Sequence, residues 1–347
     1  MHLPVKIAIV TDYLGRFGSK QKSELYRQGM DLEKLKIYFS KLNYRLTFYD
    51  YSNCIDLLHI KDAHYVIYTS SEDPEERYKS YIEDHLRLLS LSHHRIIPSE
   101  NFLRAHNNKV FMEMLRINHN FHDVEIFNSR FVATKNELKK LELSYPIIMK
   151  AAVGALSRNV KLSNNINEAL KNFHELCPKV SFSNKIREIA RRLRHRGNYN
   201  PEAIYRGKVV IQNFIPNISF DWKVLIYYDK IFILKRNNRP NDFRASGSGL
   251  FSYDKNVKQE ILNLAWSTRL KLKVPHLSLD IATGEKGLVI FEFQALGFGT
   301  KTIENAPFYF VKKNEDWDLI ENNVDLEEIY VTSLHYYLNS LLVCEPI

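Results

Sequence analysis

The chain has 347 residues, 45% of them hydrophobic and 26% charged, with a formal net charge of +9. That is the composition of a soluble globular protein of roughly two domains, and no apolar run approaches the ~18 residues that would span a bilayer. The start, MHLPVKIAIVTDYLG, lacks the basic and long apolar regions of a secretion signal and reads as a first strand. Three cysteines (Cys54, Cys177, Cys344) without metal or redox spacing argue against a disulfide framework, which makes a reducing cytoplasm the simplest compartment. The positive balance favours acidic partners: nucleotides, nucleic acid, acidic glycans or anionic lipid headgroups.

In chain order, residues 5–12 read as a strand, 21–42 as a helix, 45–51 as a strand, 53–61 as a short helix and 64–69 as another strand. This alternation predicts parallel βαβ units and an N-terminal domain at about 1–120. A helix over 78–91, a short strand at Ile96-Ile97 and a helix opening at Asn108-Lys109 follow. Residues 130–133 form a short apolar connector, 166–176 a helix, and 185–197 a basic helix broken at Gly197. Strands are expected at 208–215, 222–228 and 230–235, the last two joined by a hairpin turn, and then a Gly-containing loop at 237–252. A helix at 255–271, strands near 277–282 and 287–294, and an amphipathic helix at 325–343 close the chain. The expected parts are thus 1–120, 121–215 with a basic insertion at 185–208, and 216–347.

The most informative stretch runs from Tyr145 to Val160. An apolar strand, Ile147 to Met149, delivers Lys150 to a small-residue turn, Ala151-Ala-Val-Gly154, and Val160 to Leu162 reads as the returning strand. Backbone without bulky side chains can approach a polyphosphate closely, and a lysine adds a mobile point charge. A lysine directly after an apolar strand needs an anionic partner or an exit to solvent. Downstream, Asp280 and Glu292-Phe-Gln294 end apolar segments and offer oxygen ligands suited to Mg²⁺. On a strand Glu292 and Gln294 project to one face, because side-chain direction repeats every second residue.

In this order the segments resemble the ATP-grasp superfamily over most of the chain. The matching pieces are Asn108-Lys109, Pro146 to Lys150 with its loop, Val210 to Pro216, Asp221 to Ile226, Arg236, and Asp280 with Glu292-Phe-Gln294. The resemblance implies an α/β (α+β) architecture: a Rossmann-like pre-ATP-grasp domain, a small lid subdomain and a C-terminal α+β subdomain, with ATP held between two of them. It implies that Lys109 and Lys150 contact the nucleotide phosphates, that Gly154 and Ser157 belong to the lid loop with Arg158 beside them, and that Gln212, Asn213, Phe214 and Ile215 form the adenine hinge. Asp221 counts among the nucleotide-site residues. Asp280, Glu292 and Gln294 would hold Mg²⁺. Asn213 stands where family members commonly carry an acid, and Gln294 where they usually carry Asn. Arg236 would lie near the phosphates, and Arg244, in a loop with Arg239, Gly247 and Gly249, near the acyl phosphate or acceptor carboxylate.

The reaction so implied is ligation: a carboxylate becomes an acyl phosphate and an amine then displaces phosphate, with positioning and cations carrying the acceleration. Its substrates would be a small-molecule or glycan carboxylate, a sugar acid or polysaccharide precursor included, and an amine donor. Two alternatives stand beside it, an ATP-grasp kinase acting on a hydroxyl and a basic, non-catalytic nucleic-acid-binding protein. No zinc-hydrolase histidine pattern is present; His93, His94, His119 and His122 read as structural or surface residues, and His106 beside Lys109 is the histidine to watch. From Lys185 to Lys208 eight Lys/Arg face two Glu; the segment reads as a solvated face or as the seat of an acidic acceptor, and the sequence leaves room for a homodimer.

Overall fold

A computed structural model describes residues 4–22, 28–52, 60, 63–71, 73, 76–92, 95–154, 159–178, 180–239 and 249–344, the last three of them by their backbone alone. The chain begins with β1 (Val5–Thr11), α1 (Leu32–Lys41), β2 (Tyr44–Asp50), β3 (Tyr65–Tyr68), α2 (Arg77–Leu91), β4 (Ile96–Ile97) and α3 (Glu100–Ala105). It continues through α4 (Lys109–Asn118), α5 (Val124–Phe127), β5 (Arg130–Val132), α6 (Lys135–Lys139), β6 (Ile147–Ala151), β7 (Val160–Ser163), α7 (Ile166–Leu176), α8 (Phe182–His195) and β8 (Val209–Asn213). Then come β9 (Phe220–Tyr227), β10 (Lys230–Asn237), β11 (Phe251–Ser252), α9 (Gln259–Leu272), β12 (His276–Gly284), β13 (Gly287–Gln294), α10 (Lys301–Asn305), β14 (Phe308–Lys313), β15 (Asp316–Glu321) and α11 (Leu326–Cys344).

Two compact units result, one made of residues 1–106, 218–283 and 287–347, the other of residues 107–217 and 284–286. In the larger unit a parallel sheet runs β2-β1-β3-β4, as the alternating apolar runs predict. A second sheet runs β13-β12-β9-β10-β14-β15, with β11 paired to β10. One core joins them: Ile7, Ile9, Leu35 and Phe39 pack in the same cluster as Leu225, Phe232, Leu334 and Leu338. In the smaller unit the antiparallel sheet β5-β8-β6-β7 buries Met149, Val209 and Ile211 against Leu138, Ala169 and Phe173 of α6 and α7.

Three expectations change. The helix drawn over 21–42 starts at Leu32, because the Asp31 side chain accepts from the N–H groups of Glu33 and Lys34 and caps it there. Just before, Gly29 has φ +85°, and a Cβ on it would lie 2.7 Å from the carbonyl oxygen of Phe17, so only glycine fits this turn. The hairpin β14–β15 was not foreseen: β15, Asp-Trp-Asp-Leu-Ile-Glu, is a largely exposed strand at the sheet edge, and such a strand carries no clean apolar alternation. The helix α11 buries Leu326, Glu327, Ile329, Val331, Ser333, Leu334 and Leu338, so more than one stripe of it faces protein. The helix expected at 53–61 falls, except for Ile60, outside the described residues.

His276 on β12 sits in the larger unit's interior, stacked on Tyr330 at 4.5 Å and beside Tyr227 at 4.7 Å. Burial, aided by Arg269 and opposed by the Tyr330 carbonyl, lowers its pKa to about 3 from 6.5. A histidine held neutral contributes stability that is complete above the unfolded pKa and is lost as the pH falls through 6.5 towards 3. Acidification from pH 7 to pH 5 should therefore remove about 2 kcal/mol through this group. Urea denaturation of wild type and His276→Phe at both pH values should show a shallower loss in the variant.

Candidate functional site

In the smaller unit the apolar residues of β6 are buried and Lys150 is partly exposed at its end, opposite Val160 of β7 and Val210 of β8. Its Nζ lies 5.9 Å from the centre of the Phe127 ring. The turn that follows is tight: Gly154 has φ +138°, and the Asn159 amide beside it donates to the Val153 carbonyl at 2.9 Å. Lys109 reaches the same turn from α4. Asn108 caps that helix by accepting from Phe111 N–H at 3.2 Å. The Lys109 N–H donates to Ala152 O at 2.9 Å and its Nζ to Gly154 O at 2.7 Å. Lys109, far upstream in sequence, thus holds the glycine turn that follows Lys150. Ser157 and Arg158 lie outside the described residues.

The segment Gln212–Ile215 leaves β8 alongside β6, with Gln212 opposite Ile148 and Asn213 opposite Ile147. The Asn213 amide donates to Ile126 O at 3.1 Å, and Phe214 N–H donates to Pro146 O at 3.3 Å. Gln212 is buried and donates to Ser129 Oγ at 2.9 Å, which donates to Glu113 Oε2 at 3.0 Å. Arg116 completes this chain, donating from Nε to Glu113 at 2.9 Å and from Nη1 to both Asp123 oxygens at 2.7 and 2.9 Å. The network ties α4 to β8. Sequence reasoning missed it, although Glu113 and Arg116 stand at the i, i+3 spacing that places helix side chains together.

In the larger unit four charged side chains meet on one face of the second sheet. Asp221 lies directly opposite Arg236 across β9 and β10, and Lys223 directly opposite Asp280 across β9 and β12. Arg236 grips Asp221 through Nε at 2.6 Å and Nη2 at 2.7 Å, and its Nη2 also meets Asp280 Oδ2 at 2.8 Å. Lys223 Nζ donates to Asp280 Oδ1 at 3.0 Å. On the same strand face, Leu225 and Tyr227 are core residues, so the face passes from apolar to charged along β9. Burial alone would raise Asp280, but Arg236 and Lys223 outweigh it and hold the carboxyl at about 2. For Asp221 burial prevails over the Arg236 contact, with the Asp280 charge adding to it, and the carboxyl is pushed up to about 6. Arg236 stays charged, because the two carboxylates more than offset its burial. Lys223 was not singled out from sequence; its i, i+2 spacing from Asp221 was the available signal.

On β13 the Gln294 amide donates to Glu292 Oε1 at 3.0 Å, so these two side chains do share a face. Both are partly exposed. Among the described residues no three His, Cys, Asp or Glu side chains gather as a metal site. A set built on Glu292 therefore needs the amide oxygen of Gln294, a hard donor of the kind Mg²⁺ accepts. Beyond β13, Gly297 at φ +67° lies against buried His106, and a Cβ there would stand 2.5 Å from His106 Nε2. His106 Nδ1 and Ser70 Oγ are 3.1 Å apart. Arg244 and Gly247 lie outside the described residues.

No family model matches the sequence, and no curated protein matches it. Solved structures do. D-cycloserine synthetase is 11% identical, with a TM-score of 0.54 over 96% of this chain and 99% of its own. N5-carboxyaminoimidazole synthetase from Staphylococcus aureus is 9% identical, with a TM-score of 0.53 over 96% of this chain and 78% of its own. D-alanine–D-alanine ligase from Bacillus anthracis is 13% identical, with a TM-score of 0.50 over 97% of this chain and 99% of its own. These are ATP-grasp ligases, and the chain has the ATP-grasp fold.

Proposed function

We propose that the protein is an ATP-dependent ligase that joins a small-molecule carboxylate to an amine. The observation that carries this reading is Lys109 bonded to the glycine turn that directly follows Lys150, on the fold of three enzymes named as synthetases or ligases. The S. aureus synthetase is also solved with ADP, at a TM-score of 0.53. In the smaller unit Lys109 and Lys150 bind phosphate oxygens, Gly154 and Ser157 belong to the loop beside them, and the segment Gln212 to Ile215 meets the adenine. In the larger unit Glu292, Gln294 and Asp280 are the residues that would hold Mg²⁺. When bound, the ion neutralises charge on the phosphates.

Arg236 acts here as a positioning residue, since its guanidinium is committed to Asp221 and Asp280. Together with Lys223 it fixes the orientation of Asp280 and keeps it ionised. Arg244 keeps its proposed role near the acyl phosphate or the acceptor carboxylate. A substrate carboxylate oxygen bonds to the γ-phosphorus as ADP departs, and the amine nitrogen then bonds to the acyl carbon as phosphate departs and the nitrogen gives up a proton. Positioned cations supply most of the acceleration in such chemistry.

The test is ADP release against a panel of carboxylates with and without amines. Amine-dependent ADP release with an amide product is expected. ADP formed on a hydroxyl compound without any amine would instead establish a kinase, and no ADP under any condition would remove both readings.

A further inference from the structure

The helix α8 presents an apolar stripe that the described residues of its own unit leave largely exposed. Phe182, Ile186, Ile189 and Leu193 follow the i, i+4, i+7, i+11 spacing of one helix face, and they are 78%, 50%, 57% and 71% exposed. Basic residues flank the stripe, Lys185 and Arg192 along one edge and, beyond Ser183 and Ala190, Arg187 and Arg194 on the other side. The only acid of the helix, Glu188, is buried and already occupied, accepting from Arg192 Nε at 3.1 Å and from Tyr199 OH at 2.7 Å. Every charged side chain that the helix exposes is therefore basic. Its start is secured by Ser181, which accepts from Asn184 N–H at 3.3 Å.

An exposed stripe of this length is costly in water unless something covers it. The charges select what does. A second copy of the helix would bring arginines against arginines along both edges, with no free acid to offset them. A nucleic acid would take the arginines but has no use for a phenylalanine, two isoleucines and a leucine in a row. A surface that pairs anionic groups with an apolar layer just beneath satisfies both features at once, and that is an anionic lipid bilayer.

We propose that α8 lies in the interface of an anionic membrane, with Phe182, Ile186, Ile189 and Leu193 in the acyl boundary and the flanking Lys and Arg at the lipid phosphates. Among the described residues no helix is long and apolar enough to cross a membrane, so this is surface attachment. The attachment is independent of the ligase reading, since neither Lys109 nor Lys150 takes part.

Co-sedimentation of the full chain with vesicles of phosphatidylglycerol and phosphatidylcholine in equal parts, and with pure phosphatidylcholine vesicles, tests it. Binding to the anionic vesicles, weaker in high salt, is expected, with little to the neutral ones. Ile189→Asn combined with Leu193→Asn should weaken it by about tenfold or more. Arg187→Gln combined with Arg194→Gln should also weaken it by about tenfold or more. All these positions are exposed, so circular dichroism and the melting temperature should stay at wild-type values. A Leu193→Trp variant should show blue-shifted emission on anionic vesicles. No sedimentation with anionic vesicles, or binding unaffected by the apolar pair, overturns the proposal. So does dimerisation that the apolar pair abolishes in the absence of lipid. Retardation of RNA that only the arginine pair abolishes, without vesicle binding, assigns the helix to nucleic acid instead.

Discussion

Arg236→Ala should destabilise the protein by about 3–5 kcal/mol, the loss expected when one partner of a buried ion cluster is removed. Asp221 would lose its bidentate contact and Asp280 one of its two cations, so two buried carboxylates would face each other with Lys223 alone between them. Arg236→Lys should recover only part of the loss, because an ammonium cannot make the two parallel bonds to Asp221. The pH dependence gives a second reading. Without the guanidinium both carboxyls are pushed upwards, and a raised carboxyl contributes stability that is lost as the pH rises through its folded pKa. The deficit relative to wild type should therefore shrink between pH 7 and pH 5. Urea midpoints for the three proteins at both pH values decide it, and an unchanged midpoint in Arg236→Ala at pH 7 would show that the cluster does not hold this face together.

Lys150→Ala should lower kcat/KM for ATP-dependent turnover by about 10²–10³-fold, the scale of losing one positioned cation or donor at a developing charge. Unlike Arg236, Lys150 lies partly exposed at the end of its strand, so its removal should leave the melting temperature close to wild type. Glu292→Ala should cost at least about 10²-fold and shift the Mg²⁺ dependence of the rate to higher concentrations. The residue is partly exposed, and its hydrogen bond to Gln294 is local to one strand, so this variant too should fold normally. Full activity in Glu292→Ala would remove the metal assignment, and full activity in Lys150→Ala the phosphate assignment. The contrast between a variant that loses stability and two that lose only turnover separates the buried charge cluster from the groups proposed to touch ligand.

Much of the arrangement is legible in the sequence. The strands read at 5–12, 45–51 and 64–69 do form a parallel sheet, because chain connections of this kind leave few other ways to bury such strands. Lys150 could be placed because an apolar strand ending in lysine and small residues dictates both the strand and its polar exit. Glu292 and Gln294 share a face because strand geometry has a period of two, whatever surrounds it.

Other features had no counterpart in local pattern. The edge hairpin Phe308–Lys313 and Asp316–Glu321 is charged and open to water along its second strand, so periodicity carried little signal there. The basic segment near 185–196 reads as a charge run, and its apolar stripe gains meaning only from its exposure in the folded chain.

The amino-acid order alone determined the strand and helix periodicities, the excess of positive charge, and the delivery of Lys150 and Glu292 to strand ends, since each depends only on neighbouring residues. Tertiary structure decided that Arg236 is sequestered between Asp221 and Asp280, that Lys109 reaches the turn after Lys150, and that the apolar side of α8 stays open. Those outcomes depend on register between distant strands and on what packs against a surface, and neither quantity is carried by local sequence.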